Sequence, residues 1–139
     1  MTPVRRARPA DAETLSRLQS YLAEPAPDLL AAADAVGTVF VSTDARNRPV
    51  GYLLAVESGD RCHVAELVVH PDARREGRAR ELLETLFDAR PRGSRVTVTV
   101  AAGNDAARSL YESVGFEKTG RLPDHFDAGD GVAYARPVD

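Results

Sequence analysis

Glu66-Leu67-Val68-Val69-His70-Pro71-Asp72-Ala73-Arg74-Arg75-Glu76-Gly77-Arg78-Ala79 is the stretch whose reading decides the fold. A hydrophobic strand ends at His70-Pro71, a short basic loop follows, and Gly77 stands just before a long amphipathic helix. That order brings free backbone N–H groups and the positive end of a helix dipole to one point. A pyrophosphate can sit there without any single obligatory side chain. Gly77 lets the backbone approach phosphates and take a conformation that a Cβ opposes. Ala79 keeps the first helical turn thin. Arg75, Arg78 and Arg80 can add charge-assisted hydrogen bonds to phosphate oxygens. No Gly-Lys-Ser/Thr follows, which excludes a Walker A loop, and the glycine run of a dinucleotide fingerprint is missing. An ordinary strand-to-helix turn with a solvated arginine face has the same pattern, so this loop alone leaves both readings open.

The rest of the chain gives the loop a setting. At 139 residues the length suits one domain, residues 1–139, with enough buried surface for a single core. A net charge of −3 argues against a general nucleic-acid binder despite 18 basic residues, all but Lys118 being arginine. Cys62 is the only cysteine, which excludes an intrachain disulfide and a cysteine-based metal site. The three histidines show no metal-ligand spacing. No apolar run approaches membrane-spanning length and no signal-peptide core is visible, so the expectation is a soluble, cytoplasmic protein, monomeric or homodimeric, with no membrane or nucleic-acid partner.

Along the chain, Val4 to Arg8 reads as an edge strand and Pro9-Ala10-Asp11 as a helix start with Asp11 near the N-cap. Leu15, Leu18 and Leu22 recur at helical spacing, Pro25 and Pro27 end that helix, and Asp28 caps a short second one through Ala35. Thr38 to Ser42 and Val50 to Glu57 are strands joined by a hairpin, so three antiparallel strands lead into the decisive one. A helix from about Gly77 to Asp88 places Leu82, Leu83, Leu86 and Phe87 on one face. Arg95 to Val100 alternates as a half-buried strand, and strand, helix, strand implies a right-handed parallel crossover. Asn104 or Asp105 caps the next helix, Gly115 ends it in the left-handed position, and Phe116–Arg121 with Val132–Arg136 make a final antiparallel pair.

Two segments carry a family resemblance. Val68-Val69-x-Pro71-x-x-Arg74-x-x-Gly77-x-Ala79 resembles the acetyl-CoA signature of the GNAT superfamily of N-acyltransferases. Asn104-x-x-Ala107-x-x-x-Tyr111-x-x-x-Gly115-Phe116 resembles that family's second motif, in the expected order and about a helix and a strand away. The resemblance covers roughly residues 64–121 well and the remainder loosely. It implies an α/β (α+β) fold: a mixed, mostly antiparallel sheet of six or seven strands with flanking helices, splayed at a central parallel pair. It implies acetyl-CoA as cosubstrate, no metal, and an amine as acceptor. Val68, Val69, Arg74, Arg75, Glu76, Gly77, Arg78, Ala79, Arg80 and Asn104 would bind the cofactor, a backbone N–H of Val68 or Val69 polarising the thioester carbonyl. Tyr111 would protonate the departing thiolate; packing on the helix underside, with its hydroxyl bonded to backbone, is its other reading.

The acceptor side resembles the ribosomal-protein-alanine N-acetyltransferases, loosely. Those relatives carry a glutamate base near the end of the crossover strand, where this chain has Thr99. Gly120-Arg121-Leu122-Pro123-Asp124-His125-Phe126 resembles their peptide-gripping segment, with both tyrosines replaced. Asp124, His125 and Phe126 are therefore the substrate-binding candidates on an acidic 124–130 loop. Glu66 is the candidate base, with an exposed strand carboxylate as the alternative, and His125 can serve as a base too. A carboxylate base matters most for alkyl amines, because neutralising an amine of pKa about 10.4 at pH 7 costs about 4.6 kcal/mol. These features favour a small cationic amine, with a protein N-terminus next. The rival reading is a GNAT-fold module that binds acyl-CoA without turnover.

Overall fold

The computed structural model describes residues 2–139. Seven strands form one sheet: β1 (Val4–Arg6), β2 (Gly37–Thr43), β3 (Pro49–Ser58), β4 (Arg61–Val69), β5 (Arg95–Ala101), β6 (Glu117–Phe126) and β7 (Gly129–Pro137). Their order is β1-β2-β3-β4-β5-β7-β6, and every pairing is antiparallel except β4 with β5. The helices are α1 (Ala12–Gln19), α2 (Pro27–Ala31), α3 (Ala33–Val36), α4 (Arg78–Ala89) and α5 (Asp105–Ser113). This is the mixed, mostly antiparallel architecture expected, with the parallel pair made by the β4–α4–β5 crossover.

Alternation along the strands divides the core in two. Cys62, Val64, Val96, Val98, Val100, Val132 and Tyr134 face α4 and α5, packing on Leu82, Leu83, Leu86 and Phe87. On the opposite face, Val41, Tyr52, Leu54 and Val68 meet Leu15 and Leu18 of α1 and Ala33 of α3. No helix joins the cluster on that second face over β5, β7 and β6, where Thr97 and Thr99 remain half-exposed.

Two irregularities position the site. The β3–β4 register slips between Leu54 and Ala55, which pair with Glu66 and Val64, so Ala65 is an extra residue in β4. Such a bulge bends a strand and re-aims its side chains. The β4–β5 ladder then stops at Val64–Val98, leaving the second half of β4 unpaired on its β5 side. The splay begins there.

Several elements differ from the sequence reading. The strand at Val4 stops at Arg6, and α1 ends at Gln19, well before Pro25. Asp11 does not cap α1 with its side chain, because Arg5 and the Arg8 N–H occupy its carboxylate. The segment starting at Asp28 is two short helices, α2 and α3. The last two strands run much further than expected, through Pro123 and His125, because register shifts between Lys118 and Gly120 and between Leu122 and Phe126 absorb the residues that cannot pair.

Candidate functional site

A cavity of 520 Å³ lies at the splay. It is lined by Val68, Val69, Arg74, Arg75, Gly77, Arg78, Ala79 and Arg80 of the first motif, and by Asn104, Ala107 and Tyr111 of the second. Tyr21, Leu22 and Ala23, just after α1, close another wall. Glu76 is not in the lining; it is exposed and pairs with Arg78 at 3.6 Å.

Backbone geometry gives the cavity its donors. Gly77 has φ of 78°, in the left-handed region where a side chain is strained, and the first helical bond of α4 runs from the Glu81 N–H to the Gly77 carbonyl. The N–H groups of Arg78, Ala79 and Arg80 therefore have no intrahelical acceptor. On β4, the His70 N–H donates to the Val50 carbonyl of β3 at 2.7 Å. Alternation turns the Val68 N–H toward β3 as well and leaves the Leu67 and Val69 N–H groups facing the splay. The Val69 carbonyl, on that same open edge, accepts from Arg74 Nε at 3.0 Å. Of the two valines expected to present an N–H there, Val69 is the one that does, with Leu67 beside it.

The arginines are less free than their sequence pattern suggests. Arg78 Nη1 donates to the Ser42 hydroxyl and the Thr43 carbonyl at 3.0 and 2.9 Å. Its guanidinium thus ties the start of α4 to β2. Arg80 pairs with Glu84 at 3.0 Å, an ordinary i,i+4 helix pair. Arg75, exposed and at φ of 66°, has no partner among the described residues.

Tyr111 is 6% exposed and stands edge-on to Phe116, with ring centroids 5.5 Å apart. Burial pushes its phenol up to about 12. No described residue bonds its hydroxyl, so the reading in which it is tied to backbone does not hold. Asn104 does cap α5, its Oδ1 accepting from the Ala107 N–H at 3.1 Å, while it also lines the cavity.

Glu66 is the largest departure. It is 4% exposed, not an exposed strand carboxylate. Oε1 accepts from Tyr52 Oη at 2.8 Å and from Gln19 Nε2 at 3.0 Å. Oε2 accepts from the Ala26 N–H at 2.8 Å and from Gln19 Nε2 at 3.1 Å. Three donors therefore hold the carboxylate, Gln19 Nε2 being shared between its two oxygens. The Ala65 bulge is the cause, because plain alternation from Val64 would have sent Glu66 to the α4 side. Burial and the neighbouring carboxylate raise the Tyr52 phenol far above its ordinary value. Neither Tyr52 nor Gln19 carried a sequence signal, since their link to Glu66 exists only after the sheet and α1 pack. A second clasp, Tyr21 Oη to His70 Nε2 at 3.3 Å, fastens the same segment to the end of β4.

The acceptor candidates Asp124, His125 and Phe126 lie in β6 rather than in a loop, and only Asp127-Ala128 turn the hairpin. Asp130 accepts from the Asp124 N–H and from Arg121 Nε, both at 2.9 Å, which hold its carboxyl below the usual range. Asp124 and Asp127 remain exposed. His125 packs beside Phe126 and over Gly131. Among the described residues no group of three His, Cys, Asp or Glu side chains could hold a metal, and no helix is long and apolar enough to cross a membrane.

A splayed β4–β5 pair, a helix start with free N–H groups and a buried phenol converge on one cavity. Residues 7–116 match the Acetyltransferase (GNAT) family, and the chain belongs to it. A 55-residue stretch is 40% identical to UPF0157 protein YqkA of Bacillus subtilis (strain 168); it spans 40% of this chain but only 16% of that relative. The fold is similar to the ribosomal-protein-S18-alanine N-acetyltransferase from Escherichia coli, with a TM-score of 0.87 and 23% identity over 100% of this chain and 95% of that one. It is similar also to Arabidopsis thaliana NAA60 in complex with acetyl-CoA, with a TM-score of 0.84 and 16% identity over 99% and 100% of the two chains.

Proposed function

We propose that the protein moves an acetyl group from acetyl-CoA to a primary amine by direct attack on the thioester. The observation that carries this reading is the convergence of the two motifs on one cavity, with bare helix N–H groups at one end and Tyr111 at the other. The pyrophosphate sits on the amides of Arg78, Ala79 and Arg80, with Arg75 free to reach its oxygens. The thioester lies in the splay, where the Val69 or Leu67 N–H polarises its carbonyl. The amine nitrogen forms the new C–N bond as the C–S bond breaks, and Tyr111 gives its proton to the departing thiolate. Burial keeps the phenol protonated at neutral pH, pushed up to about 12. It donates a hydrogen bond to the thiolate as charge develops, and transfer of the proton to a thiolate of ordinary pKa about 8.5 runs uphill.

Glu66 serves this chemistry by position, held by Tyr52, Gln19 and the Ala26 N–H. It anchors the segment carrying Tyr21, Leu22 and Ala23 against β4. On the acceptor side, exposed Asp124 and Asp127 favour a cationic amine. Steady-state release of CoA thiol with a panel of alkyl amines, amino acids and peptides tests the proposal. Tight acetyl-CoA binding with no release for any amine would instead establish the non-catalytic reading.

A further inference from the structure

Glu66 is held inside the fold by Tyr52, Gln19 and the Ala26 N–H, whereas the acceptor face carries an exposed proton acceptor in His125. The acyl-donor cavity takes its walls from α4, α5, the end of β4 and Tyr21, Leu22 and Ala23, which leaves the uncovered second face beside β5 and β7 as the amine's way to the splay. The first β5 residue past the last paired rung, Val64–Val98, that points to that face is Thr99. Thr99 is a neighbour of His125: a Cβ placed on Gly131 would lie 3.2 Å from both Thr99 Cγ2 and His125 Cβ, and 3.3 Å from His125 Cδ2. A Cβ at Gly131 would press on the imidazole, which lies against β7 at this point. One rung back on the same face, His63 Nδ1 is bonded to Thr97 Oγ1 at 2.8 Å.

We propose that His125 is the catalytic base that takes the amine's proton. The proposal rests on the acetyl-transfer reading. The neutral amine's lone pair attacks the carbonyl carbon, and the proton it sheds goes to the His125 imidazole. The C–S electrons leave on sulfur, which takes the proton of Tyr111. Both side chains then return to their starting states by exchange with solvent, so one amine and one thioester give one amide and one thiol. An amine that arrives protonated first loses one proton to solvent by the same imidazole.

Surrounding protein, and then the charge of His125, lower His63 from its ordinary value even though solvent reaches it. The other charges facing this patch are Arg61 and Arg95, cross-strand neighbours on the same face of β4 and β5, Glu117 of β6, and Asp124 and Asp127 at the hairpin. Asp130 is occupied by Arg121 and the Asp124 N–H.

The experiment is a pH profile of kcat/KM, by CoA thiol release with one accepted amine, for the wild type, His125→Gln, His125→Ala and His63→Gln. His125→Gln should lose about a hundredfold in rate together with the ascending acid limb, with acetyl-CoA affinity unchanged as the control for folding. Added imidazole should restore part of the His125→Ala rate. His63→Gln should keep the limb, because His63 is bonded to Thr97 and does not take the amine's proton. An active wild type whose His125→Gln variant stays within a factor of two, with a parallel profile, overturns the assignment. A wild type that releases no thiol with any amine overturns the acetyl-transfer reading itself.

Discussion

The Tyr52 hydroxyl donates to Glu66 Oε1 at 2.8 Å across the β3–β4 ladder, and that single contact joins the bulge of β4 to the closing of the cavity. Glu66 could not reach it without the extra residue at Ala65. Once there, the carboxylate also collects Gln19 from the end of α1 and the N–H of Ala26.

Replacing Glu66 with Gln puts an N–H donor where three donors converge. The amide nitrogen must face Tyr52, Gln19 or Ala26, leaving at least one buried donor unpaired at a cost of about 1–3 kcal/mol. Thermal or denaturant unfolding should show that loss. Because the effect is structural, the pH profile of the remaining activity should run parallel to wild type. A profile whose acid limb disappears in Glu66→Gln would return the base to this residue.

Gly77 tests the phosphate end. Nothing lies within 4 Å of a Cβ placed there, so Gly77→Asp meets no steric block; its penalties are a positive φ and a negative charge among bare amides. Acetyl-CoA affinity measured by calorimetry should fall tenfold or more, about 1.4 kcal/mol. Gly77→Ala separates the two penalties, since it carries only the backbone strain. Equal affinities for the aspartate variant and wild type would place the pyrophosphate elsewhere.

The legible parts of this molecule were those whose cause is local. Period-two alternation at Val96, Val98 and Val100 and the helical face of Leu82, Leu83, Leu86 and Phe87 gave correct faces, because each residue's neighbours in sequence determine its direction. The loop from Arg74 to Ala79 and the Asn104 cap were readable for the same reason. Long-range events were not. One extra residue in β4 inverts the direction of Glu66, and no local pattern marks it. The bonds from Arg78 to Ser42 and Thr43 of β2 had no local signal either. Pro123 and the glycines of the last hairpin read as loop residues, whereas register shifts let the strands continue past them.

Asp11 offers a prediction about acid. Arg5 meets it with two bonds, at 2.8 and 3.1 Å, and the Arg8 N–H adds a third at 2.7 Å. The Arg5 hydrogen bond, more than any other factor, holds the carboxyl below its ordinary value of 3.8. A folded-state pKa below the unfolded one means the stabilisation is present above about pH 4 and is lost as pH falls through the lower, folded value. Asp11→Asn should therefore cost about 1–3 kcal/mol at neutral pH and lose less on acidification than wild type does. Unfolding curves at pH 7 and pH 3 measure both. Identical acid sensitivity in the two proteins would show that other carboxylates dominate.

Tyr111 separates chemistry from packing most cleanly. Tyr111→Phe keeps the ring against Phe116 and removes only the hydroxyl, which no described residue bonds, so the fold should lose little. If the phenol protonates the departing thiolate, kcat should drop about a hundredfold while the Michaelis constant for acetyl-CoA barely moves. The pH dependence follows from burial. With its pKa at about 12 in the folded chain, the phenol stays protonated across the working range and imposes no descending limb there. The unfolded tyrosine ionises near 10, and a folded value above the unfolded one means stability is intact below that pH and is lost as pH rises toward the folded value. Wild type should thus lose more stability than Tyr111→Phe between about pH 10 and 12, which alkaline unfolding curves for the two proteins would reveal. Activity within a factor of two of wild type would make Tyr111 a packing residue and leave water to protonate the thiolate.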